Sequence, residues 1–233
     1  MPTDLAPGNR LLARLPPQVW EHLRPSLQPV ALQLKEVLCE PGAPLPYVYF
    51  PVRAMLSIIR VMRDGAAIEV ATVGNEGMAE LSAFLGEAVA ATRCIVQLPG
   101  GALRMRADVL QAETGWNSPL RQLLSRYESV FLKQVYQCVA CNGLHQIQQR
   151  CGRWLLETYD RFGPDEFPMT HEFLAEMLGV RQASVSPILR SFANLGLIRN
   201  DRGKIQILDL AGLEAQSCEC YRVIKDEFDR LLS

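Results

Sequence analysis

At 233 residues, with 48% hydrophobic content and a formal net charge of −1, the chain has the size for two small domains and a globular composition. Its 24 basic residues are offset by 25 acidic ones, which excludes a chain that holds polyanions by bulk charge and leaves only a local patch for that task. No apolar run reaches the roughly 18–20 residues that span a bilayer, and Met-Pro-Thr-Asp at the start opens no secretory signal, so a cytoplasmic protein with no membrane partner and seven reduced cysteines is expected.

Residues 10–27 carry Leu11, Leu12, Leu15, Val19, Trp20 and Leu23 at helical spacing and predict a short helix. Short apolar runs follow at 30–34, 48–50, 55–62, 67–73, 93–98 and 102–105. Pro41-Gly42, Asp64-Gly65, Gly74 and Pro99-Gly100-Gly101 punctuate them, and Arg63-Asp64-Gly65-Ala66 reads as a hairpin turn. Many short strands with regular turns predict a β-sandwich or barrel. Inside it, residues 75–86 change period, with Met78, Leu81 and Leu85 at helical spacing. A glycine-flanked turn into a short helix exposes backbone N–H groups and can hold an anion, or it can simply connect two strands.

Residues 118–142 are helical again. Leu120, Leu124, Tyr127, Phe131, Gln134, Cys138 and Cys141 form a seam at alternating three- and four-residue spacing. That stripe is expected both to meet an identical partner and to pack on the barrel. Asn142-Gly143 breaks the pattern and predicts a hinge. The next helix, 144–161, carries Ile147, Cys151, Trp154, Leu155 and Tyr159 and stops at Gly163-Pro164.

The segment 170–198 is the most specific in the chain. Thr170 can cap a short helix whose inner face is Phe173, Leu174, Met177 and Leu178. Gly179 stands where a tight turn needs positive φ, and Val180 follows as a plug. A second helix turns Val185, Ile188, Leu189 and Phe192 inward. Two short runs, 197–199 and 204–207, flank 200–203 as a hairpin wing. Helix, glycine turn, helix and wing are the parts of a unit whose second helix enters the DNA major groove. Between Arg181 and Lys204 five basic residues face a single acidic one, Asp201. Residues 209–233 reverse the balance, with three basic and six acidic. Net positive charge thus sits on the second helix and wing, where phosphates would lie.

Pro187 lacks an N–H and is tolerated in a first helical turn, which predicts a late helix start near Ser184, or a kink. Cys138 and Cys141 lie three apart, Cys151 follows ten later, and Cys218-Glu219-Cys220 is a second close pair. A metal or redox site is one reading, but no second C-x-x-C matches the first and the histidines at 22, 145 and 171 are scattered. The cysteines are read as small buried residues and no metal is assigned. No nucleophile–base motif or phosphate-binding loop is visible, so no catalytic residue is assigned and no enzyme is expected.

The core L-A-x-M-L-G-V-R-x-x-S-V from Leu174 and the wing G-L-I-x-x-x-x-G-x-I from Gly196 resemble the catabolite-activator and fumarate-nitrate regulator (Crp/Fnr) family, and the likeness extends over essentially the whole chain. It implies an α+β fold: an N-terminal jelly-roll-like β-barrel sensor over 1–112, similar to a cyclic-nucleotide-binding domain, a long dimerisation helix over 113–142, and a C-terminal winged helix-turn-helix over 143–233. It further implies a homodimer on a palindromic double-stranded operator, and RNA polymerase as a further partner.

Members that bind cyclic AMP carry G-E near the short helix and R-S or R-T after it. Here the first place reads Gly74-Asn75-Glu76-Gly77 and the second Ala91-Thr92-Arg93. A one-residue shift on a strand turns Arg93 to the other face, so cyclic AMP is not expected to bind. The first cysteine is Cys39 and His22 precedes the barrel, so neither an N-terminal iron–sulphur cluster nor a haem ligand is expected. No cofactor is assigned, and room is left for an unidentified small-molecule effector at Gly74, Asn75, Glu76, Gly77, Thr92 and Arg93.

The DNA surface is assigned to Thr170, Arg181, Gln182, Ala183, Ser184, Ser186, Arg190, Arg199, Arg202 and Lys204, and the dimer interface to Leu120, Leu124, Tyr127, Phe131, Gln134 and Cys138. Two other readings compete with a DNA-binding regulator. One is a ligand-binding module whose helix-turn-helix serves protein interaction. The other is a redox switch or enzyme built on Cys138, Cys141 and Cys151.

Overall fold

The computed structural model describes residues 8–163 and 166–233. The chain runs through α1 (Pro17–Leu23), β1 (Gln28–Leu32), β2 (Val37–Cys39), β3 (Tyr47–Pro51), β4 (Met55–Val61), β5 (Ala67–Val73), α2 (Leu81–Phe84), β6 (Arg93–Leu98), β7 (Gly100–Arg106) and α3 (Ala107–Glu113). The 26-residue α4 (Pro119–Leu144) follows. Then come α5 (Ile147–Phe162), β8 (Phe167–Pro168), α6 (His171–Leu178), α7 (Gln182–Asn194), β9 (Ile198–Asp201), β10 (Lys204–Ile207), α8 (Leu210–Ala215) and α9 (Cys220–Leu232).

Strands β1, β7 and β3 form one antiparallel sheet, and β2, β6, β4 and β5 a four-stranded one. In β3 the alternation turns Val48 and Phe50 inward, opposite Met105 and Leu103 of β7. The β4–β5 turn is the expected hairpin: Gly65 has φ +86, and Asp64 Oδ1 accepts the Ala66 N–H at 3.0 Å. The architecture is therefore mixed helix and sheet, with strands before α4 and the helix-turn-helix after it.

The chain divides into two compact units that interleave along the sequence. The first takes the residues up to Ile58, Thr72–Leu132 and Phe228–Ser233, and the second Ile59–Ala71 and Lys133–Glu227. In the first, Asn9 Nδ2 donates to the carbonyls of Pro51 and Gly77, each at 2.9 Å. In the second, Trp154 of α5 is buried and donates its indole N–H to Glu69 at 3.0 Å. Beside it a buried series of charges lies one helical turn apart: Arg153 meets Glu157 at 2.8 Å, and Glu157 meets Arg161 at 3.3 Å. Phe173, Leu174, Val185, Leu189, Phe192 and Ile205 complete this unit's core.

Several expectations change. The helix over 10–27 is broken: Pro16 stays extended and α1 starts at Pro17, because proline fixes φ and biases the residue before it away from the helix. The helix over 75–86 contracts to α2, which starts after Glu80 at φ +66; Met78 is buried before it, and Leu85 is 56% exposed. Asn142 and Gly143 lie inside α4; the break comes at His145-Gln146, where Gln146 and Gln149 cap α5 reciprocally. Gly163 ends α5 at φ +99, and Pro164 lies outside the described residues.

The α4 seam packs within the chain. Leu120, Leu124, Tyr127, Gln134 and Cys138 are buried within the single chain, in keeping with the expected intramolecular packing of the seam. Tyr127 Oη donates to the Met78 carbonyl at 3.0 Å, and its ring lies 6.1 Å from Phe131, which is half-buried, and 6.4 Å from Phe228 of α9. The period marks a packed face correctly, but the face is filled from within. The large apolar residues left exposed on α4 are Leu132, Tyr136, Val139 and Leu144.

Candidate nucleic-acid interface

Thr170 Oγ1 accepts the Phe173 N–H at 3.1 Å and caps α6. Gly179 ends the helix at φ +64, and a Cβ there would stand 3.1 Å from Ile68 Cδ1. Val180 is half-buried, a looser plug than expected. Helix α7 starts at Gln182, with Arg181 as an extended N-cap, so Pro187 neither delays the start nor occupies the first turn. The proline cannot donate to the Ala183 carbonyl. Ser186 beside it donates its hydroxyl to the Gln182 carbonyl at 3.3 Å.

Val185, Leu189 and Phe192 face the core. Gln182, Ala183, Pro187, Arg190 and Asn194 fall on one exposed stripe, while Ser184 and Ser186 are half-buried. Pro187, at a position that aligns with the family's reading pattern, joins this exposed stripe.

The wing strands pair antiparallel from Lys204↔Asp201 to Ile207↔Ile198. Their turn is Arg202 at φ +48 and Gly203 at φ +76, the two-residue connection whose twist matches the strands. Arg199 and Arg202 are exposed. Lys204 Nζ is 2.8 Å from Glu166, an exposed pair worth little energetically. Strand β8 adds Phe167 and Pro168 opposite Ile205 and Lys204.

His171, one of three scattered histidines in the sequence, ties these elements together. Asn200 Nδ2 of β9 lies 2.8 Å from His171 Nε2, and His171 Nδ1 lies 2.9 Å from Ser186 Oγ of α7. With Asn200 donating, the imidazole carries its proton on Nδ1 and donates to Ser186, which donates to Gln182. The relay fixes the wing against the recognition helix and occupies the Ser186 hydroxyl.

The other candidates fare differently. Gly74 N–H is taken by Glu76 Oε1 at 3.0 Å, and the Asn75 carbonyl accepts the Arg10 N–H at 2.6 Å. A Cβ on Gly77 would stand 2.4 Å from Tyr127 Oη. The Glu76 side chain that accepts the Gly74 N–H is itself buried. Thr92 is half-buried, and Arg93 pairs with Glu40 at 2.9 Å.

All seven cysteines are free and buried. Cys138 lies 3.7 Å from Arg153 Nη1, and burial pushes both Cys138 and Cys151 up to about 12. Cys141 joins neither: it meets Cys218, with Cys220 and His145 close by. The hydrogen bond from Cys218 pulls the Cys141 thiol down and holds Cys218 up.

An exposed second helix, a capped first helix, a glycine turn and a basic wing define a winged helix-turn-helix DNA-binding protein. Residues 149–216 match the family model of the Crp-like helix-turn-helix domain. The transcriptional regulator SdrP of Thermus thermophilus is 24% identical over 193 residues, covering 79% of this chain and 92% of that protein. FixK2 from Bradyrhizobium japonicum has a TM-score of 0.67 at 14% identity, covering 82% of this chain and 98% of its own. A CRP/FNR-family regulator from Thermus thermophilus has a TM-score of 0.64 at 22% identity, with the same shares. Residues 149–216 thus carry a Crp-like helix-turn-helix domain, and the fold over most of the chain is similar to that of CRP/FNR-family regulators.

Proposed function

We propose that the chain acts as a cytoplasmic homodimer that reads a palindromic operator, with α7 of each protomer in the major groove and a sensor domain that does not take cyclic AMP. The domain division of 1–112, 113–142 and 143–233 and a contact with RNA polymerase belong to the same reading. The observation that carries it is the exposed stripe of α7 beginning with Gln182, flanked by Arg181, Arg190, Arg199 and Arg202. Gln182 stands at the first position of α7, where side chains meet base edges. Its amide donates and accepts at once, which matches the N6/N7 edge of adenine. The wing arginines reach phosphates. With a net charge of −1, bulk attraction is weak, and paired half-sites supply the affinity. Occupation of Gly74 N–H by Glu76 and of Arg93 by Glu40 supports the exclusion of a cyclic phosphate.

Selection of duplexes from a random pool by the full chain is expected to return a palindrome, and return of no preferred sequence sinks the proposal. On the selected site, Gln182→Ala should lose roughly 1–3 kcal/mol per half-site and relax preference at one base pair. Arg202→Ala should weaken all sequences about equally and reduce the salt slope by about one for each phosphate it no longer neutralises. Unchanged preference in Gln182→Ala removes it from the reading set. Titration calorimetry with cyclic AMP should give no heat of binding; low-micromolar affinity overturns that part.

A further inference from the structure

Cys141, His145, Cys218 and Cys220 each place one ligand atom within 4.8 Å of the other three. Cys141 Sγ is 3.5 Å from Cys218 Sγ, and Cys220 Sγ is 3.4 Å from His145 Nδ1. The three thiols are buried, and the imidazole sits half-exposed at the rim. All four residues belong to the second compact unit.

Two short stretches build the cluster. Cys141 lies in the last turn of α4 and His145 just past its end, four residues on and therefore above the same face. One turn earlier, Gln137 Nε2 donates to Cys220 Sγ at 3.0 Å, an outer contact of the kind that orients a ligating sulfur. The other half comes from Cys218, just before α9, and Cys220, its first residue.

We propose that these four side chains bind a single divalent ion of the zinc class, with three thiolates and one imidazole in a tetrahedron. Zinc takes sulfur at about 2.3 Å and imidazole nitrogen at about 2.0–2.1 Å, so the edges of its tetrahedron are roughly 3.4–3.8 Å. The Cys141–Cys218 and Cys220–His145 separations of 3.5 and 3.4 Å have that size. Four atoms this close surround one ion; the ligands of a polynuclear iron–sulphur cluster must stand farther apart. A Cys141–Cys218 disulfide would need the sulfurs at about 2.05 Å. Loading releases the thiol protons to solvent as the metal–sulfur bonds form. With all four positions filled by protein, the ion has no open site for substrate, and its role is to fasten the end of α4 to the start of α9.

The test uses the full chain purified under reductant. Elemental analysis is expected to give about one zinc per chain, and cobalt(II) exchange should give the intense visible bands of a tetrahedral site with thiolate-to-cobalt charge transfer. Cys218→Ser combined with Cys220→Ser should lower metal content at least tenfold, while Cys151→Ala keeps it. Should the double variant fail to fold, His145→Cys decides: the site should stay loaded and its cobalt spectrum should shift to that of four thiolates. The proposal is overturned if reduced, folded wild type takes up neither zinc nor cobalt, if the cobalt spectrum is weak and octahedral, or if Cys141 and Cys218 are found as a disulfide.

Discussion

Gly179 meets two constraints at once. Its φ of +64 is one that L side chains adopt at a cost of roughly 1–2 kcal/mol, and a Cβ would press on Ile68 at 3.1 Å. Gly179→Ala is therefore expected to destabilise the chain by about 1–2 kcal/mol or more, read as a lowered urea midpoint, and to weaken operator binding through misplacement of α7. A variant as stable as wild type shows that the turn relaxes freely. Glu80 carries a different strain. Burial pushes its carboxyl above the usual value of 4.5, opposed by hydrogen bonds from the Cys39 and Cys94 thiols. A raised folded-state value means that ionising Glu80 costs more in the fold than in the unfolded chain. Stability is then fully present below the unfolded value and falls as pH rises through the raised one. Glu80→Gln removes that loss while keeping an acceptor for Cys39. Its stability relative to wild type should be higher at pH 7 than at pH 4. Equal differences at the two pH values would mean that Glu80 ionises in the fold as easily as in water.

Among the elements, the wing and recognition helix are joined by the His171 relay. His171→Ala should leave α6 formed, since Thr170 supplies the cap, yet lower operator affinity several-fold by loosening β9 from α7. Asn200→Ala should reproduce the loss, and adding it to His171→Ala should cost little more, because both changes cut one relay. Additive losses would show two independent contacts. The same elements mark what is legible in the sequence. Strand β6, the Asp64-Gly65 turn, the Thr170 cap and the Gly179 turn can be read because each rests on local chemistry. The start of α7 cannot, because proline's local preference loses here to the tertiary packing of Val185, Leu189 and Phe192. Strand β8, of two residues, carries no periodic signal and exists only through its pairing with β10. The cysteine cluster is hidden because its halves lie 77 residues apart at Cys141 and Cys218, and each alone is an ordinary spacing.

For the whole molecule, the seam of α4 shows why period alone does not assign a partner. A stripe at three- and four-residue spacing means that something covers it, and here the chain's own residues do. What a second copy can use is the remaining surface of α4: Leu132 at 42% exposure, Tyr136 at 65% and Val139 at 63%, spaced four and three residues apart on one face. A palindromic operator needs a two-fold axis, and self-packing of a long helix supplies one, with each residue meeting its own neighbourhood in the partner. Tyr136→Glu with Val139→Glu sets like charges against each other across such an axis and is expected to give monomers at micromolar concentration by sedimentation. Because these side chains are exposed in the single chain, the thermal midpoint of the monomeric fold should change little. Operator affinity should fall by orders of magnitude, since one half-site no longer holds the other, while binding to a single half-site stays as weak as before. A wild type that sediments as a monomer, or a double variant that remains dimeric, removes this face of α4 from the interface.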